Sequence, residues 1–259
     1  GTWFASGQPF LYIGNDTFIF EESYYEKGDV PVYEYMEIVR EPFQGVANTP
    51  YEGTPLTEDI YTDGIPVLLK QEESGEVLAV WTKDTDSNEA SAIGSRLYYA
   101  SFDGAAWKTP APLDSTPAFN GDPAGLFQGD EGVVVWSRAS SEGLSHASPL
   151  EDILTANEQA DLFWAVYRAG AWSAPVVLAA VEGVNETPAV AAAAGGDPVV
   201  VWTNRMNDTA AILVASRKGA LWTPPEALSL GRWCDSPRIT TVAEGFLVVW
   251  SQDKDDDIT

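Results

Sequence analysis

Short apolar runs that end on a tryptophan recur along this chain. The segments "VLAVWTK", "GVVVWSR", "PVVVWTN" and "FLVVWSQ" each place apolar residues before a tryptophan, then Ser or Thr, then Lys, Arg, Asn or Gln; the tryptophans are Trp81, Trp136, Trp202 and Trp250. Runs of this length, rich in Val and aromatic residues and without helical periodicity, are typical of β-strands. Several copies of one strand at wide spacing predict a repeat architecture.

Two further elements accompany the tryptophan run. The segments "LYYASFDGAAWKTP", "LFWAVYRAGAWSAP" and "ILVASRKGALWTPP" follow three of the runs and align without a gap, each with an alanine, a glycine turn and then a tryptophan. The segments "IPVLL", "TPAFN", "TPAVA" and "SPRIT" precede the runs and align on Pro66, Pro117, Pro188 and Pro237. The order predicts units of four antiparallel strands joined by tight turns.

Such units predict an all-β protein, a β-propeller of four-stranded antiparallel blades. A propeller is favoured over a solenoid because large indole rings can fill the wedge-shaped gaps between radially arranged sheets. The repeat is clear in residues 62–259 and poor in residues 1–61, which we interpret as a degenerate N-terminal blade and closing strand. The predicted boundaries within one propeller domain are blades at 66–116, 117–187 and 188–236, and a half blade at 237–259. The chain forms either a ring of about five blades, closed by strands from both ends, or a fragment of a larger propeller.

The turn "SFDGAAW" at residues 101–107 resembles the Asp-box of sialidase-type propellers, S-x-D-x-G-x-T-W, although it is one residue short and lacks the threonine. The other two copies, "VYRAGAW" and "SRKGALW", keep only the glycine and the tryptophan. The resemblance to this family, also called BNR-repeat propellers, implies the fold more than an activity. It implies that the box is a turn between the third and fourth strands, away from the ligand. Asp103 is then a turn residue whose carboxylate accepts backbone N–H groups.

The charge of the chain narrows its partners. Its 39 Asp and Glu residues against 14 Lys and Arg give a formal charge of -25, which repels the phosphates of nucleic acids. No apolar run is long enough for a membrane helix. The acidity fits an extracellular, periplasmic or cell-surface protein that meets salt or divalent cations, or it serves solubility alone. One cysteine, Cys234, and one histidine, His146, cannot form a disulfide, a zinc site or a histidine-based catalytic triad.

The loops between the second and third strands vary in length and carry much of the acid, so we expect a negatively charged loop face where binding specificity lies. Two acidic segments suit calcium, which prefers oxygen ligands. The candidate ligands are Asp84, Asp86 and Asn88 in "DTDSN", and Asp255 and Asp257 in "DKDDD". Glu89 replaces the glycine that an EF-hand loop needs. Both segments are alternatively solvated acid without a metal.

Four residues are candidates for contact with a ligand. Arg238 in "SPRIT" is a partial match to the F/Y-R-I-P motif of the sialidase family, and its guanidinium matches the geometry of a carboxylate. Arg138 follows the tryptophan of the second unit. Trp164 and Trp233 lie outside the repeated tryptophan positions, which leaves them available to stack on a sugar ring or to fill the core. The aromatic residue and the final proline of the motif are missing, and no Tyr–Glu nucleophile pair can be assigned.

The sequence therefore predicts a secreted or cell-surface, non-catalytic propeller that recognises a glycan or a protein through its acidic loop face. One alternative is a sialidase-like glycoside hydrolase or lyase. Another is a spacer segment of a large adhesin or filament, with another chain or the rest of a larger polypeptide completing the propeller. Calcium is the only cofactor that the residues suggest.

Overall fold

The computed structural model describes two compact units, Gly1–Thr54 and Pro55–Thr259. In the first unit it describes the backbone of the strands within residues 2–42. In the second it describes residues 56–57, 63–84, 95–116, 118–145, 148–207, 209–229 and 233–253. The predicted metal ligands Asp86, Asn88, Asp255 and Asp257 lie outside the described residues, as does Pro117.

The N-terminal unit contains one antiparallel sheet with the strand order β1-β2-β3-β4. Its strands are β1 (Thr2–Trp3), β2 (Pro9–Ile13), β3 (Asp16–Lys27) and β4 (Val30–Pro42). Strands β2 and β3 form a hairpin that closes on the pair Ile13 and Asp16. The long pair β3 and β4 runs from Asp16 opposite Pro42 to Lys27 opposite Val30, with one register shift.

The larger unit contains four antiparallel sheets that follow one another along the chain. The first has β5 (Val67–Lys70), β6 (Val77–Lys83), β7 (Arg96–Phe102) and β8 (Ala111–Pro112). The second has β9 (Ala118–Gln128), β10 (Glu131–Ser140), β11 (Asp161–Arg168), β12 (Ala171–Trp172) and β13 (Val176–Ala179). The third has β14 (Val184–Ala192), β15 (Pro198–Met206), β16 (Thr209–Lys218), β17 (Leu221–Trp222) and β18 (Glu226–Ala227). The fourth has β19 (Cys234–Val242) and β20 (Gly245–Gln252). The predicted all-β class and the predicted strand order are confirmed.

One helix, α1 (Leu150–Asn157), is described in the segment between β10 and β11. Ile153 and Ala156 on this helix pack against a small cluster of Phe119, Ala139 and Ala160. The helix therefore covers the end of the second sheet.

The sheets pack face to face through the residues of their tryptophan strands. Val133 and Val135 of β10 contact the third sheet, whereas Val134 and Trp136 contact the first sheet. The alternation follows from the period of two in a strand, which sends successive side chains to opposite faces. All four side chains are fully buried. A strand that is apolar on both faces is therefore explained by a sheet that is covered on both faces.

The first strands of the sheets are neighbours: β5 contacts β9, β9 contacts β14, and β14 contacts β19. The sheets therefore share a line of first strands, as the blades of a propeller do around their axis. Within the described part of the chain no closure into a ring of five blades is detected.

The first strand of each sheet has a β-bulge opposite the tryptophan of the second strand in the same sheet. In the third sheet Glu186 pairs with Thr203 and Ala189 pairs with Val201, so that two residues stand opposite Trp202 alone. The same shift occurs opposite Trp136 and Trp250. The bulged pairs are Asp122-Pro123, Thr187-Pro188 and Ser236-Pro237, and the residue before each proline has a φ of 49°, 50° and 53° respectively. Ile65-Pro66 lies at the same place in the first sheet, between the pairs Asp63–Lys83 and Val67–Val80.

The positions of the bulges change which prolines of the repeats are equivalent. Pro123, not Pro117, stands in the position of Pro188 and Pro237, because it is the proline that lies opposite the tryptophan. The residues before Phe119 and before Val190 are "TPA" in both cases, which is why the sequence alone favours Pro117. The predicted boundaries at 188 and 237 fall inside strands β14 and β19, since each strand begins before its bulge.

Gly125 follows the bulge of β9, where it lies close to the backbone of β10. A β-carbon built on this residue would lie 2.6 Å from the carbonyl oxygen of Val133 and 3.1 Å from a methyl carbon of Leu69. We expect Gly125→Ala to lower the free energy of unfolding by about 1–3 kcal/mol, because backbone and packed side chains must shift. Gly121→Ala on the same strand is the matched control, because nothing lies within 4 Å of its β-carbon. Urea denaturation of both variants checks the difference, and equal losses would contradict it.

Candidate functional site

The bulges of the four sheets surround one cavity of about 600 Å³. Its lining includes Pro66, Pro123 and Pro188 from three bulges, together with Ser236 and Arg238 from the fourth sheet. A bulge turns the strand and redirects its side chains, which is why such irregularities are frequent beside functional sites. We call this space the mouth cavity.

Three of the four bulges are fixed by a hydrogen bond from the tryptophan that faces them. The indole Nε1 of Trp81 donates to Asp63 Oδ1 over 2.7 Å, that of Trp136 to Asn120 Oδ1 over 3.0 Å, and that of Trp202 to Asn185 Oδ1 over 2.9 Å. The acceptor stands three residues before the proline of the bulge in every case. Sequence reasoning missed this pattern, although "DGIP", "NGDP" and "NETP" carry it.

The fourth sheet departs from the pattern. Cys234 occupies the place of the acceptor, and Trp250 Nε1 instead donates to Gln252 Oε1 over 3.4 Å. Cys234 is fully buried, as expected of a small apolar residue.

Hydroxyl and carboxylate groups extend from the mouth cavity between the second, third and fourth sheets. Asp122 Oδ2 accepts from the backbone N–H of Thr187 over 3.4 Å. The hydroxyls of Thr187 and Thr203 are 2.8 Å apart, and Thr203 donates to Asp235 Oδ1 over 3.2 Å. Asp122 and Thr187 line the cavity themselves. The rim therefore offers mainly hydrogen-bond acceptors and hydroxyls.

Glu186 lies next to this network and forms an ion pair with Arg205. Burial raises the pKa of Glu186; Arg205 opposes this, and the negative charges of Asp235 and Asp122 raise the pKa further. The folded protein thus favours the protonated carboxyl more than the unfolded chain does.

The raised pKa of Glu186 predicts a pH dependence of stability. The stability that protonated Glu186 contributes is fully present below the pKa of the unfolded chain and is lost as the pH rises through the folded pKa. Glu186→Gln cannot ionise, so we expect its stability relative to the wild type to increase as the pH rises through that window. Urea denaturation from acid to neutral pH measures this, and a relative stability that falls with rising pH would contradict it.

The structure brings one of the four predicted ligand residues to the mouth cavity. Arg238 lines the cavity, is exposed, and donates from Nη1 to the carbonyl oxygen of Pro237 over 2.9 Å. Its position follows the bulge directly, where the other sheets have Val67, Ala124 and Ala189. The alignment on Pro117 predicts Ala118 at this position in the second unit, and the strand register corrects it to Ala124.

The other three predicted ligand residues lie elsewhere. Arg138 pairs with Asp114 Oδ2 over 2.8 Å, and its guanidinium lies 4.8 Å from the ring centre of Phe163. Trp164 is 9% exposed and meets Trp222 edge to face at 5.8 Å. Trp233 is 42% exposed but does not line the mouth cavity. The structure therefore places Arg138, Trp164 and Trp233 away from the mouth cavity.

Trp164 also lines a second cavity, of about 420 Å³, between the second and third sheets. The Arg217 guanidinium lies 5.0 Å from the ring centre of Trp164, and Arg217 and Arg168 both pair with Glu131. The ion pair of Arg217 with Glu131 joins the two sheets, whereas that of Arg168 with Glu131 lies within the second sheet.

The predicted calcium sites lie mostly outside the described residues. Asp84 is the one predicted ligand that the structure describes. In the described part of the chain no three His, Cys, Asp or Glu side chains are grouped so that they could hold a metal ion. Calcium therefore stays a prediction from the sequence.

The turn of the degenerate Asp-box has the expected structure. Asp103 Oδ1 accepts from the backbone N–H groups of Ala105 and Ala106, both over 3.0 Å. The hydrogen bonds from Ala106 and then Ala105 lower the pKa of Asp103. The prediction that Asp103 is a turn residue is confirmed.

These sheets, bulges and turns define a protein of the propeller class with a mouth at the first strands. Comparison with solved structures makes the class more specific. A mutant of Trypanosoma rangeli sialidase with trans-sialidase activity matches with a TM-score of 0.53 and 14% identity, over 74% of this chain and 34% of that one. The Trypanosoma rangeli sialidase in complex with sialic acid matches with a TM-score of 0.52 and 12% identity, over 98% and 40%. The chain has a sialidase-like β-propeller fold.

The chain spans well under half of the length of these sialidases. No protein-family model matches it, and a search of curated proteins found no match. Among the described residues no helix is both long enough and apolar enough to cross a membrane.

Proposed function

We propose that the chain binds a neutral, hydroxyl-rich glycan in the mouth cavity without cleaving it. The observation that carries this proposal is the cavity of about 600 Å³ between the bulges, with Asp122, Thr187 and Arg238 in its lining. The volume lies in the usual range for small-ligand sites, about 300–1,000 Å³. Carboxylates and hydroxyls accept hydrogen bonds from sugar hydroxyls, and the guanidinium donates to them.

The charge around the mouth supports a neutral ligand. In the F/Y-R-I-P motif of sialidases the arginine stands two residues before the proline. The residues two before the bulge prolines here are Gly64, Gly121, Glu186 and Asp235. No arginine stands at these four positions, and an anionic sugar in the cavity would face the carboxylate of Asp122. A single guanidinium, that of Arg238, is the positive charge in the cavity lining.

Glycan-array screening followed by titration calorimetry tests the proposal. We expect binding of neutral glycans, and a loss of about ten- to a hundredfold in affinity for Asp122→Asn, since a hydrogen bond to a charged group contributes about 1.5–3 kcal/mol. Asp130→Asn is the matched control, because Asp130 is exposed in the turn between β9 and β10. A preference for sialylated glycans, or equal affinities of the two variants, would refute the proposal.

Glycoside hydrolysis is the second candidate. The raised pKa of Glu186 and the nearby charges of Asp235 and Asp122 support it, because glycosidases use one protonated carboxyl and one carboxylate. Release of a fluorogenic leaving group from a glycoside by the wild type, abolished in Glu186→Gln, would replace the non-catalytic proposal. Its absence for a glycan that binds would support recognition alone.

We also propose an extracellular, periplasmic or cell-surface location, which the charge of -25 supports. The spacer role in an adhesin or filament stays an alternative that predicts no glycan binding at all.

A further inference from the structure

The second cavity, between the second and third sheets, carries a positive charge on a strongly acidic chain. Its volume is about 420 Å³, and the described residues that line it are different from those that line the mouth cavity. The charged residues of its described lining are Arg168, Arg217 and Glu131, so two guanidiniums stand against one carboxylate. On a chain with a formal charge of -25, such a local excess of positive charge attracts anions.

Arg217 is held in place by three contacts at this cavity. Its side chain is 8% exposed, and its guanidinium lies 5.0 Å from the ring centre of Trp164. Nη1 donates to Glu131 Oε2 over 3.0 Å, and Nε donates to the carbonyl oxygen of Gly219 over 2.7 Å. Because a guanidinium carries five N–H donors, these bonds leave the N–H groups of Nη2 for a ligand. A side chain that is already fixed loses little freedom when it binds an anion.

Arg168 supplies the second positive charge. Its guanidinium pairs with Glu131 Oε1, and its side chain is 62% exposed. Glu131 therefore lies between the two arginines and uses one oxygen for each of them. A ligand with a single negative charge balances the remaining positive charge while Glu131 keeps its place.

Much of the remaining wall of the second cavity is apolar. Trp164, Val166, Trp172 and Val176 line it, and Val176 is 55% exposed. Apolar and aromatic surface beside a few fixed polar groups is typical of small-molecule sites. The planar guanidinium matches the geometry of a carboxylate. The ligand that fits therefore combines one carboxylate with a compact apolar group.

The interface between the first and second sheets is built without this positive charge. There Tyr167 has the position that Arg217 has in the repeat, two residues after the buried alanine. Its hydroxyl donates to Glu76 over 3.0 Å, and its ring centre lies 6.1 Å from that of Tyr99 and 5.3 Å from that of Trp172. Packing of two sheets in this fold thus does not require a guanidinium, which points to another role for Arg217.

We propose that the second cavity binds a small monocarboxylate with an apolar body. The carboxylate accepts hydrogen bonds from Arg217 Nη2 and from Arg168, and the apolar body packs against Trp172 and Val176. The site is separate from the mouth cavity and does not depend on glycan binding there.

Titration of the chain with 3-phenylpropionate, followed by NMR, tests the proposal. We expect saturable binding with a dissociation constant of about 1 mM, as for a ligand of about eleven non-hydrogen atoms. The uncharged 3-phenylpropanamide should bind about tenfold more weakly because it lacks the charge-assisted hydrogen bonds. Glucuronate and inorganic phosphate, which lack the apolar body, should also bind more weakly. Equal binding of any of these three compounds would overturn the proposed ligand class.

Variants of the chain locate the carboxylate. Arg217→Lys keeps the charge but loses the planar fork of donors, so we expect about tenfold weaker binding. Arg168→Gln, at an exposed position, should weaken binding about threefold, and it decides the question if Arg217→Lys does not fold. Lys218→Gln is the matched control, because Lys218 has the same repeat position in the third sheet and a side chain that is 67% exposed, but does not line the cavity.

Two results would overturn the location. One is binding of 3-phenylpropionate that neither Arg168→Gln nor Arg217→Lys weakens relative to Lys218→Gln. The other is binding that Arg238→Gln abolishes, because the carboxylate would then lie in the mouth cavity.

Discussion

Trp202→Ala is expected to lower the free energy of unfolding by about 3–5 kcal/mol, the usual loss for a large aromatic side chain removed from a core. Trp202 is fully buried in the cluster between the second and third sheets. Its indole also donates to Asn185 Oδ1 over 2.9 Å and so holds the bulge at Pro188. The change therefore creates a cavity and releases the strand that lines the mouth cavity.

Urea denaturation followed by circular dichroism measures this loss, and the melting temperature should fall by about 10 °C for a chain of this size. Trp107→Ala is the control, because Trp107 is 40% exposed and contacts Phe102 at the surface; a loss below about 1 kcal/mol is expected there. Trp202→Phe separates packing from hydrogen bonding. Similar losses for Trp202→Ala and Trp107→Ala would show that Trp202 does not hold the sheets together.

The repeated tryptophan strand could be predicted from the sequence because its apolar pattern follows from how the sheets pack. A strand covered on both faces needs apolar residues at every position, and the run "VVVW" in β10 and β15 meets that need. The turn at Asp103 was also readable, because its hydrogen bonds join residues that are two or three apart. Local chemistry of this kind leaves a pattern in the sequence.

The contacts that form the mouth cavity could not be predicted from the sequence in the same way. The bond between Trp202 and Asn185 joins residues that are 17 apart, and the bulge between them is visible only in the strand register. The sequence does not show that Arg138 is paired, because its partner Asp114 lies 24 residues away. The sequence also does not show the contact of Trp164 with Trp222, because these residues belong to different sheets. Positions that are determined by distant partners require the structure.

The bulges link stability to the proposed binding site. The prolines of three bulges, Pro66, Pro123 and Pro188, line the mouth cavity, and the acceptors three residues earlier bind the buried tryptophans. A substitution at such an acceptor should therefore alter both the core and the cavity. Asn185 is the most deeply buried of these acceptors, with no exposed surface.

Asn185→Asp is the second change with a large expected effect. Asn185 Nδ2 donates to the carbonyl oxygens of Ala160 and Val181 over 3.1 and 3.0 Å, while Oδ1 accepts from Trp202 and Asn204. An aspartate keeps the two acceptor bonds but turns an oxygen toward two carbonyl oxygens in a buried site. We expect a loss of about 3 kcal/mol or more at neutral pH, since an uncompensated buried charge is strongly destabilising.

The loss should depend on pH with a defined sign. Burial and the facing carbonyl oxygens raise the pKa of the introduced carboxyl in the folded protein above its unfolded value of about 3.9. The protonated form donates to one of these carbonyls, so its stability is fully present below the unfolded pKa and is lost as the pH rises through the folded pKa. The difference between the variant and the wild type should therefore be smallest in acid and largest at neutral pH.

Asn207→Asp is the matched control, because Asn207 is exposed in the turn between β15 and β16. Its aspartate remains solvated, and we expect a change below about 0.5 kcal/mol without this pH dependence. Urea denaturation of both variants in acid and at neutral pH provides the comparison. A gap for Asn185→Asp that widens in acid, or that matches the gap for Asn207→Asp, would contradict the assignment of Asn185 as the buried centre that joins Trp202 to the bulge, because that assignment requires both carbonyl contacts.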